Sequence, residues 1–315
     1  MTTTHHRRLA LIDMGTNTFH LLIVELPEER HAEPQVLMRT KVGVRLGEGG
    51  ISKGEITPQA FARALHTLQA FQEEIELHQV TDVRATATSA VRVARNGSEL
   101  VQAIFEQTGI RVEVIPGERE AELIAKGVRQ AVPLGDERNL IVDIGGGSVE
   151  FIIADEATIF WKQSFEIGAQ RLLDMFFPDP SGVMSAAAVA AEQAHLSVVL
   201  APLVAAIEEF QPVAVVGASG SFDSLADMQL GQLRTEAELP PCTDLAMSSF
   251  QNSYRQLLSS THEERKAIPG ILPMRADMLV VASVLFDFVL GVSGITRIRT
   301  SAFALKEGLL AEMMK

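Results

Sequence analysis

Asp13-Met14-Gly15-Thr16-Asn17-Thr18 returns 130 residues later as Asp143-Ile144-Gly145-Gly146-Gly147-Ser148. Each copy follows an apolar run, Leu9 to Ile12 and Leu140 to Val142, and leads into another, Phe19 to Leu26 and Val149 to Ala154. The unit reads as strand, tight turn, strand, with an Asp closing the first strand. A turn of small residues lets backbone N–H groups approach phosphate oxygens, because no side chain stands in the way. An acidic residue beside it suits a hydrated divalent cation. One such turn would be an ordinary hairpin; two in the same context predict a chain that grips an oligophosphate from both sides.

Working outward, each half opens with antiparallel strands and then alternates helix and strand. Thr57-Pro58 starts a helix, with Thr as N-cap and Pro at the first helical position. Apolar residues at 61, 64, 65, 68, 71 and 75 carry it to about Leu77. Strands are expected at 36–44, 82–86 and 111–115, and helices at 99–108 and from 117 to about 130. The turn-rich Pro133-Leu134-Gly135-Asp136 marks the restart. Strands follow at 139–143, 148–155 and 158–166, then one long Ala-rich helix over 185–210. A buried strand at 213–216 runs into Gly217-Ala218-Ser219-Gly220-Ser221. Helices at 244–259, 275–290 and 302–314 and a strand at 296–299 complete the chain. The expected fold is α/β, with duplicated domains at 1–131 and 132–301, a phosphate-binding cleft between them, and the C-terminal helix 302–315 packing back on the first.

Composition narrows the partners. Apolar residues make up 47% and charged residues 21%, a globular balance. The formal net charge of −13 argues against nucleic acid or an anionic membrane as partner. It also means that local Arg and N–H groups must capture any anionic substrate. Cys242 is the single cysteine, so no intrachain disulfide or thiolate metal site is available. The polar N-terminus, with His5-His6 in it, has no signal-peptide character, and 278–290 is too short for a bilayer span. A cytoplasmic protein is expected. The Ala-rich stretch 186–206 suits either core or a homodimer face.

The order of these parts resembles the exopolyphosphatase/guanosine-pentaphosphate phosphatase (Ppx/GppA) family, within the actin, sugar-kinase and chaperone ATPase superfamily. The resemblance lies in Asp13 to Leu22, Thr86 to Arg92, Pro116 to Leu123, Asp143 to Glu150, Gly217 to Ser221 and Ser301 to Gly308. It implies actin-like, ribonuclease-H-like domains and a phosphoric anhydride hydrolase. On that resemblance Glu120 directs the attacking water. Read alone, Glu118, Glu120 and Glu122 around Arg119 describe a solvated helix face rather than a site, and Arg119 stands where the family has an acidic residue. Asp143 is the first candidate for a Mg²⁺ ligand (Mn²⁺ as substitute), with Asp13 and Glu150 assisting. Glu150 read alone is equally a strand residue facing solvent.

Gly145, Gly146, Gly147 and Ser148 would hold the terminal phosphate, opposed by Gly15, Thr16 and Asn17. Arg92 would neutralise it, with Arg45 as a second cation. Gly217, Ser219, Gly220 and Ser221 would take a further phosphate at a helix start, unless the glycines serve only close packing. Leu172, Phe176 and Phe177 read as core, and His20, at the position matching Glu150, as structural. The expected reaction is Mg²⁺-dependent release of orthophosphate from inorganic polyphosphate. Many family members carry extra C-terminal helical domains, so a preference for shorter chains is expected. The alternatives are guanosine pentaphosphate hydrolysis, a small-molecule kinase of the same superfamily, or a non-catalytic sensor of phosphorylated signals.

Overall fold

The computed structural model describes residues 7–27, 34–235 and 238–314; His5-His6 fall outside them. The chain forms two compact units, Met1–Arg119 with Leu309–Lys315, and Glu120–Gly308.

In the first unit, β1 (Arg8–Met14), β2 (Phe19–Glu25) and β3 (Gln35–Val42) precede α1 (Pro58–Leu77) and β4 (Asp82–Ala87). Then come α2 (Ser89–Val93), α3 (Gly97–Thr108), β5 (Val112–Val114) and the start of α4 (Gly117–Ala131). The sheet order is β3-β2-β1-β4-β5, antiparallel through the first three strands and parallel after β1. The Thr57 hydroxyl caps α1 by accepting from Ala60 N at 3.3 Å. The core lies between the sheet and α1 and α3, from Ile12 and Phe19 to Leu68 and Leu100. On another face, Leu309, Leu310 and Met313 pack against Leu9, Leu11, Leu22 and Val24.

The second unit repeats the plan. β6 (Asn139–Ile144), β7 (Val149–Ala154) and β8 (Ile159–Phe165) lead to α5 (Ala169–Phe176), α6 (Ala186–Val199), α7 (Ala201–Phe210), β9 (Ala214–Ala218) and α8 (Gly220–Leu230). β10 (Cys242–Leu245), α9 (Met247–Ser259), α10 (His262–Lys266), α11 (Met278–Ser293), β11 (Ile298–Ser301) and α12 (Leu305–Met313) follow. The order β8-β7-β6-β9-β11 matches the first sheet strand for strand, and β10 adds an antiparallel edge. The duplication reaches the register. Asp13 pairs His20 as Asp143 pairs Glu150. The second strand is irregular at Ile23/Val24 in one sheet and at Ile153/Ala154 in the other. The fold is thus the duplicated actin-like α/β architecture.

Two expectations need correction. The stretch 185–210 is two helices, α6 and α7, meeting at 64°. Pro202 in the first turn of α7 lacks the N–H that a continuous helix would need there, and its ring would strike the carbonyl four residues back. The segment before α9 is a strand, because β10 pairs with β11. Residues 169–176 form a helix, α5, and the core reading of this stretch holds: Leu172 and Phe177 are buried, and Phe176 packs half-buried against the same cluster. No single helix among the described residues is long and apolar enough to cross a membrane; α6 and α7 reach that length and composition only together.

α4 and α12 cross at two glycines. A Cβ on Gly127 would lie 1.9 Å from Ala304 O, and one on Gly308 would lie 1.8 Å from Leu123 O. Elsewhere in this unit, Glu192 of α6 is fully buried and neither carboxyl oxygen has a hydrogen-bond partner. Burial pushes its carboxyl up to about 9. An unfolded glutamate titrates near ~4.3, so between these values the folded chain binds more protons. Stability attributable to Glu192 is therefore present below the lower value and lost as pH rises toward 9. Glu192→Gln should gain on the parent by up to roughly 1 kcal/mol per pH unit between pH 5 and 8. Denaturant titrations at the two pH values measure it; parallel pH profiles would contradict it.

Candidate active site

Each repeated turn is closed by the same bond: Gly15 N donates to Thr18 O, and Gly145 N to Ser148 O, both at 3.1 Å. The N–H groups of Gly15 and Gly145 are therefore spent inside the turns. The carbonyls behind the second turn are taken as well. Gly145, Gly146 and Gly147 O accept from Ala169, Gln170 and Gly168 N at 2.9, 2.9 and 3.0 Å. In a trans planar peptide the next N–H points opposite to the carbonyl. The N–H groups of Gly146, Gly147 and Ser148 consequently face away from α5.

Three carboxylates gather in the second unit. Asp143 ends β6, Glu150 lies opposite it on β7, and Glu120 sits in the first turns of α4. They are 4%, 1% and 7% exposed, so neither the solvated-face reading of Glu120 nor the solvent-facing reading of Glu150 survives. Glu118 is exposed, Glu122 pairs with Lys162 at 2.9 Å, and Arg119 pairs with Glu312. The alternating charges of α4 therefore divide among different neighbours.

Burial pushes the Asp143 carboxyl up to about 6; the charge of Asp223 adds to this and a hydrogen bond from the Ser219 side chain opposes it. Glu150 is raised well above the usual carboxylate range, first by burial and then by the charges of Glu120 and Asp143. The Ser164 and Ser148 side chains oppose that shift, with Ser164 Oγ donating to Glu150 Oε1 at 2.6 Å. Like charges crowded out of water in this way favour a proton or a cation among them.

The glycines of 217–221 are closely approached. A Cβ on Gly217 would meet the Phe222 ring at 2.0 Å, and one on Gly220 the Arg275 guanidinium at 2.1 Å. Ser219, held at φ +70°, turns to Asp143, and Ser221 Oγ donates to Ile144 O at 3.4 Å.

In the first unit, Asp13 and the Gly15–Asn17 turn lie beside Thr88, whose N–H donates to Met14 O at 3.3 Å. Arg92 of α2 is half-buried, and its Nη1 donates to Ile115 O at 3.1 Å. Arg45 contributes through its backbone, N–H to Asn17 O at 2.8 Å, while its side chain pairs with Glu48 at 3.6 Å.

Ser164, Asp223, Gly168 and Arg171 were not singled out from sequence. Only the β7–β8 register, which sets Ser164 opposite Glu150, carried a signal for the first of them.

Comparison with known proteins follows this geometry. A family model described as the Ppx/GppA phosphatase family matches residues 23–315. The guanosine-5'-triphosphate,3'-diphosphate pyrophosphatase of Photobacterium profundum is 30% identical over 308 residues, which are 97% of this chain and 59% of that protein. The chain thus spans little more than half of that relative. Exopolyphosphatase 1 of Mycobacterium tuberculosis is 29% identical over 309 residues, 96% of this chain and 87% of that one. The crystal structure of an exopolyphosphatase from Cytophaga hutchinsonii matches with a TM-score of 0.92 and 44% identity over 98% of both chains. A Ppx/GppA family member from Aquifex aeolicus, at 20% identity and a TM-score of 0.79 over 98% of this chain and 97% of that one, shares the fold.

Proposed function

The chain belongs to the Ppx/GppA phosphatase family, and from that premise we propose that it is an exopolyphosphatase, releasing orthophosphate from the end of inorganic polyphosphate. The observation that carries this reading is the buried trio Glu120, Asp143 and Glu150 beside a turn whose N–H groups face one way. The likeness to the Cytophaga hutchinsonii exopolyphosphatase, at 44% identity, supports polyphosphate as the substrate.

The residues divide the work. The N–H groups of Gly146, Gly147 and Ser148 receive oxygens of the terminal phosphoryl group, where charge develops during transfer. Glu120 accepts a proton from a water and aims its oxygen at phosphorus. Glu150, raised above the usual carboxylate range by burial and then by the charges of Glu120 and Asp143, would exchange a proton within the site or, when protonated, donate a hydrogen bond to a phosphoryl oxygen. Of the first unit taken by itself, the Gly15–Asn17 turn and Arg92 are its own candidate phosphate-binding groups.

A divalent cation fits the donors present, which are hard carboxylate and hydroxyl oxygens. Among the described residues no group of three or more His, Cys, Asp or Glu is arranged to hold a metal ion unaided. Mg²⁺, which commonly binds through one or two carboxylates plus waters and substrate phosphates, matches that arrangement better than a caged metal does. Asp143 would hold it, with Glu150 as a further candidate, and when bound it would neutralise phosphoryl charge. Guanosine pentaphosphate is the second reading, favoured by the 30% identity to the Photobacterium profundum enzyme.

The test is orthophosphate release by the purified protein with Mg²⁺ from short and long polyphosphate, guanosine pentaphosphate and ATP. Polyphosphate as best substrate is expected. Release from guanosine pentaphosphate alone would transfer the assignment, and release from none would refute both readings.

A further inference from the structure

The two repeated turns share a backing that their sequences do not reveal. In the first unit, Gly47 N donates to Thr16 O at 3.0 Å and Arg45 N to Asn17 O at 2.8 Å. In the second, Gln170 N donates to Gly146 O at 2.9 Å and Gly168 N to Gly147 O at 3.0 Å. Thr16 and Asn17 stand 130 residues before Gly146 and Gly147. Each unit therefore sends back, just past its third strand, a short backbone segment that grips the same two carbonyls. The approach is close in both. A Cβ on Gly47 would meet Thr16 Cγ2 at 2.6 Å, and one on Gly168 would lie 2.4 Å from the Gly146 carbonyl carbon.

The units differ in one cation. Arg63 in the first braces the gripping segment, donating to Val44 O at 2.7 Å and Arg45 O at 2.9 Å. Arg171 in the second reaches the turn itself: its Nε donates to Gly147 O at 2.9 Å, and its Nη2 to Glu166 at 3.2 Å. Its side chain is 15% exposed. Gly147 O thus accepts from both the Gly168 amide and a guanidinium, and it belongs to the same peptide as the Ser148 N–H. A charged donor on a carbonyl polarises that peptide and strengthens the N–H at its other end. It also fixes the direction of that N–H. Ser148 in turn places its side chain on Glu150.

We infer that Arg171 is a positioning residue for the reacting phosphoryl group, acting through the Gly147–Ser148 peptide. The inference rests on the reading that the Asp143 turn binds that group. Because the oxyanion contact tightens as charge develops, its loss falls on kcat more than on KM.

The test compares Arg171→Ala, Arg171→Lys and Glu166→Gln for kcat and KM in orthophosphate release from short polyphosphate. Melting temperature and tungstate binding by calorimetry are measured on the same proteins. Arg171→Ala should lower kcat by about 30- to 100-fold, leave KM within about 3-fold, and weaken tungstate binding. Arg171→Lys, which restores a cationic donor, should recover most of both losses. A normal kcat in Arg171→Ala, or equal losses in the Ala and Lys variants, would overturn the inference. Should Arg171→Ala fail to fold, Glu166→Gln decides, since loosening Arg171 must lower kcat and tungstate affinity together; no change in either overturns it. If the parent releases no orthophosphate, the hydrolase reading fails, and the tungstate arm alone judges Arg171.

Discussion

Glu120→Gln is expected to lower kcat for orthophosphate release by about 10²- to 10⁴-fold, the range for loss of a positioned general base. KM for polyphosphate should stay within a few-fold, because the amide keeps the shape of the side chain and the phosphate-binding N–H groups are untouched. The expectation comes from burial: a carboxylate 7% exposed, near a second acid 1% exposed, is costly to keep out of water, and a catalytic role accounts for the cost. The substitution carries an internal control. The Glu120 charge helps hold Glu150 above the usual carboxylate range. Removing it should bring the Glu150 titration down and leave the melting temperature equal or higher. A large loss of kcat in a protein at least as stable as the parent isolates chemistry from folding. An unchanged kcat would remove Glu120 from the mechanism.

Asp143→Asn is expected to lower Mg²⁺-dependent turnover on the order of 10³-fold or more, since it removes the proposed ligand and leaves the amide among buried acids. Metal affinity should also depend on pH, in a definite direction. Coordination requires the carboxylate, and burial places the Asp143 group at about 6. Above that pH the ligand is ready; below it the proton competes, and Mg²⁺ affinity should fall by about tenfold per pH unit. Calorimetry at pH 5 and pH 7 reads this as roughly tenfold weaker binding at the lower value, with protons released on binding. Affinity equal at both pH values, or retained in Asp143→Asn, would place the ion elsewhere.

The twofold plan of the protein was legible because the repeated D-x-G turn sets strand ends and register together. Offsetting the chain by 130 superimposes Asp13 on Asp143 and the Ile23 irregularity on that at Ile153. What stayed hidden depends on the third dimension. The fate of Glu120 could not be read from α4, whose alternating charges describe a solvated face; its position among Asp143 and Glu150 buries it while Glu118 remains exposed. The close approach of Phe222 to Gly217 and of Arg275 to Gly220 also lay outside what the sequence shows. Gly168 and Arg171 lie about two dozen residues beyond the turn they grip, in a stretch with no motif of its own. Pro202 was a visible break, outweighed by an apolar Ala-rich run that continues on both sides of it.

The most direct measurement is hydrolysis of a short polyphosphate in ¹⁸O-labelled water with Mg²⁺, followed by ³¹P NMR of the products. Water directed by Glu120 onto the terminal phosphorus predicts one ¹⁸O in every released orthophosphate and none in the shortened chain. Label at the new chain end would show attack on the inner phosphorus, and transfer to an acceptor without labelled orthophosphate would show a kinase; either result would contradict the account.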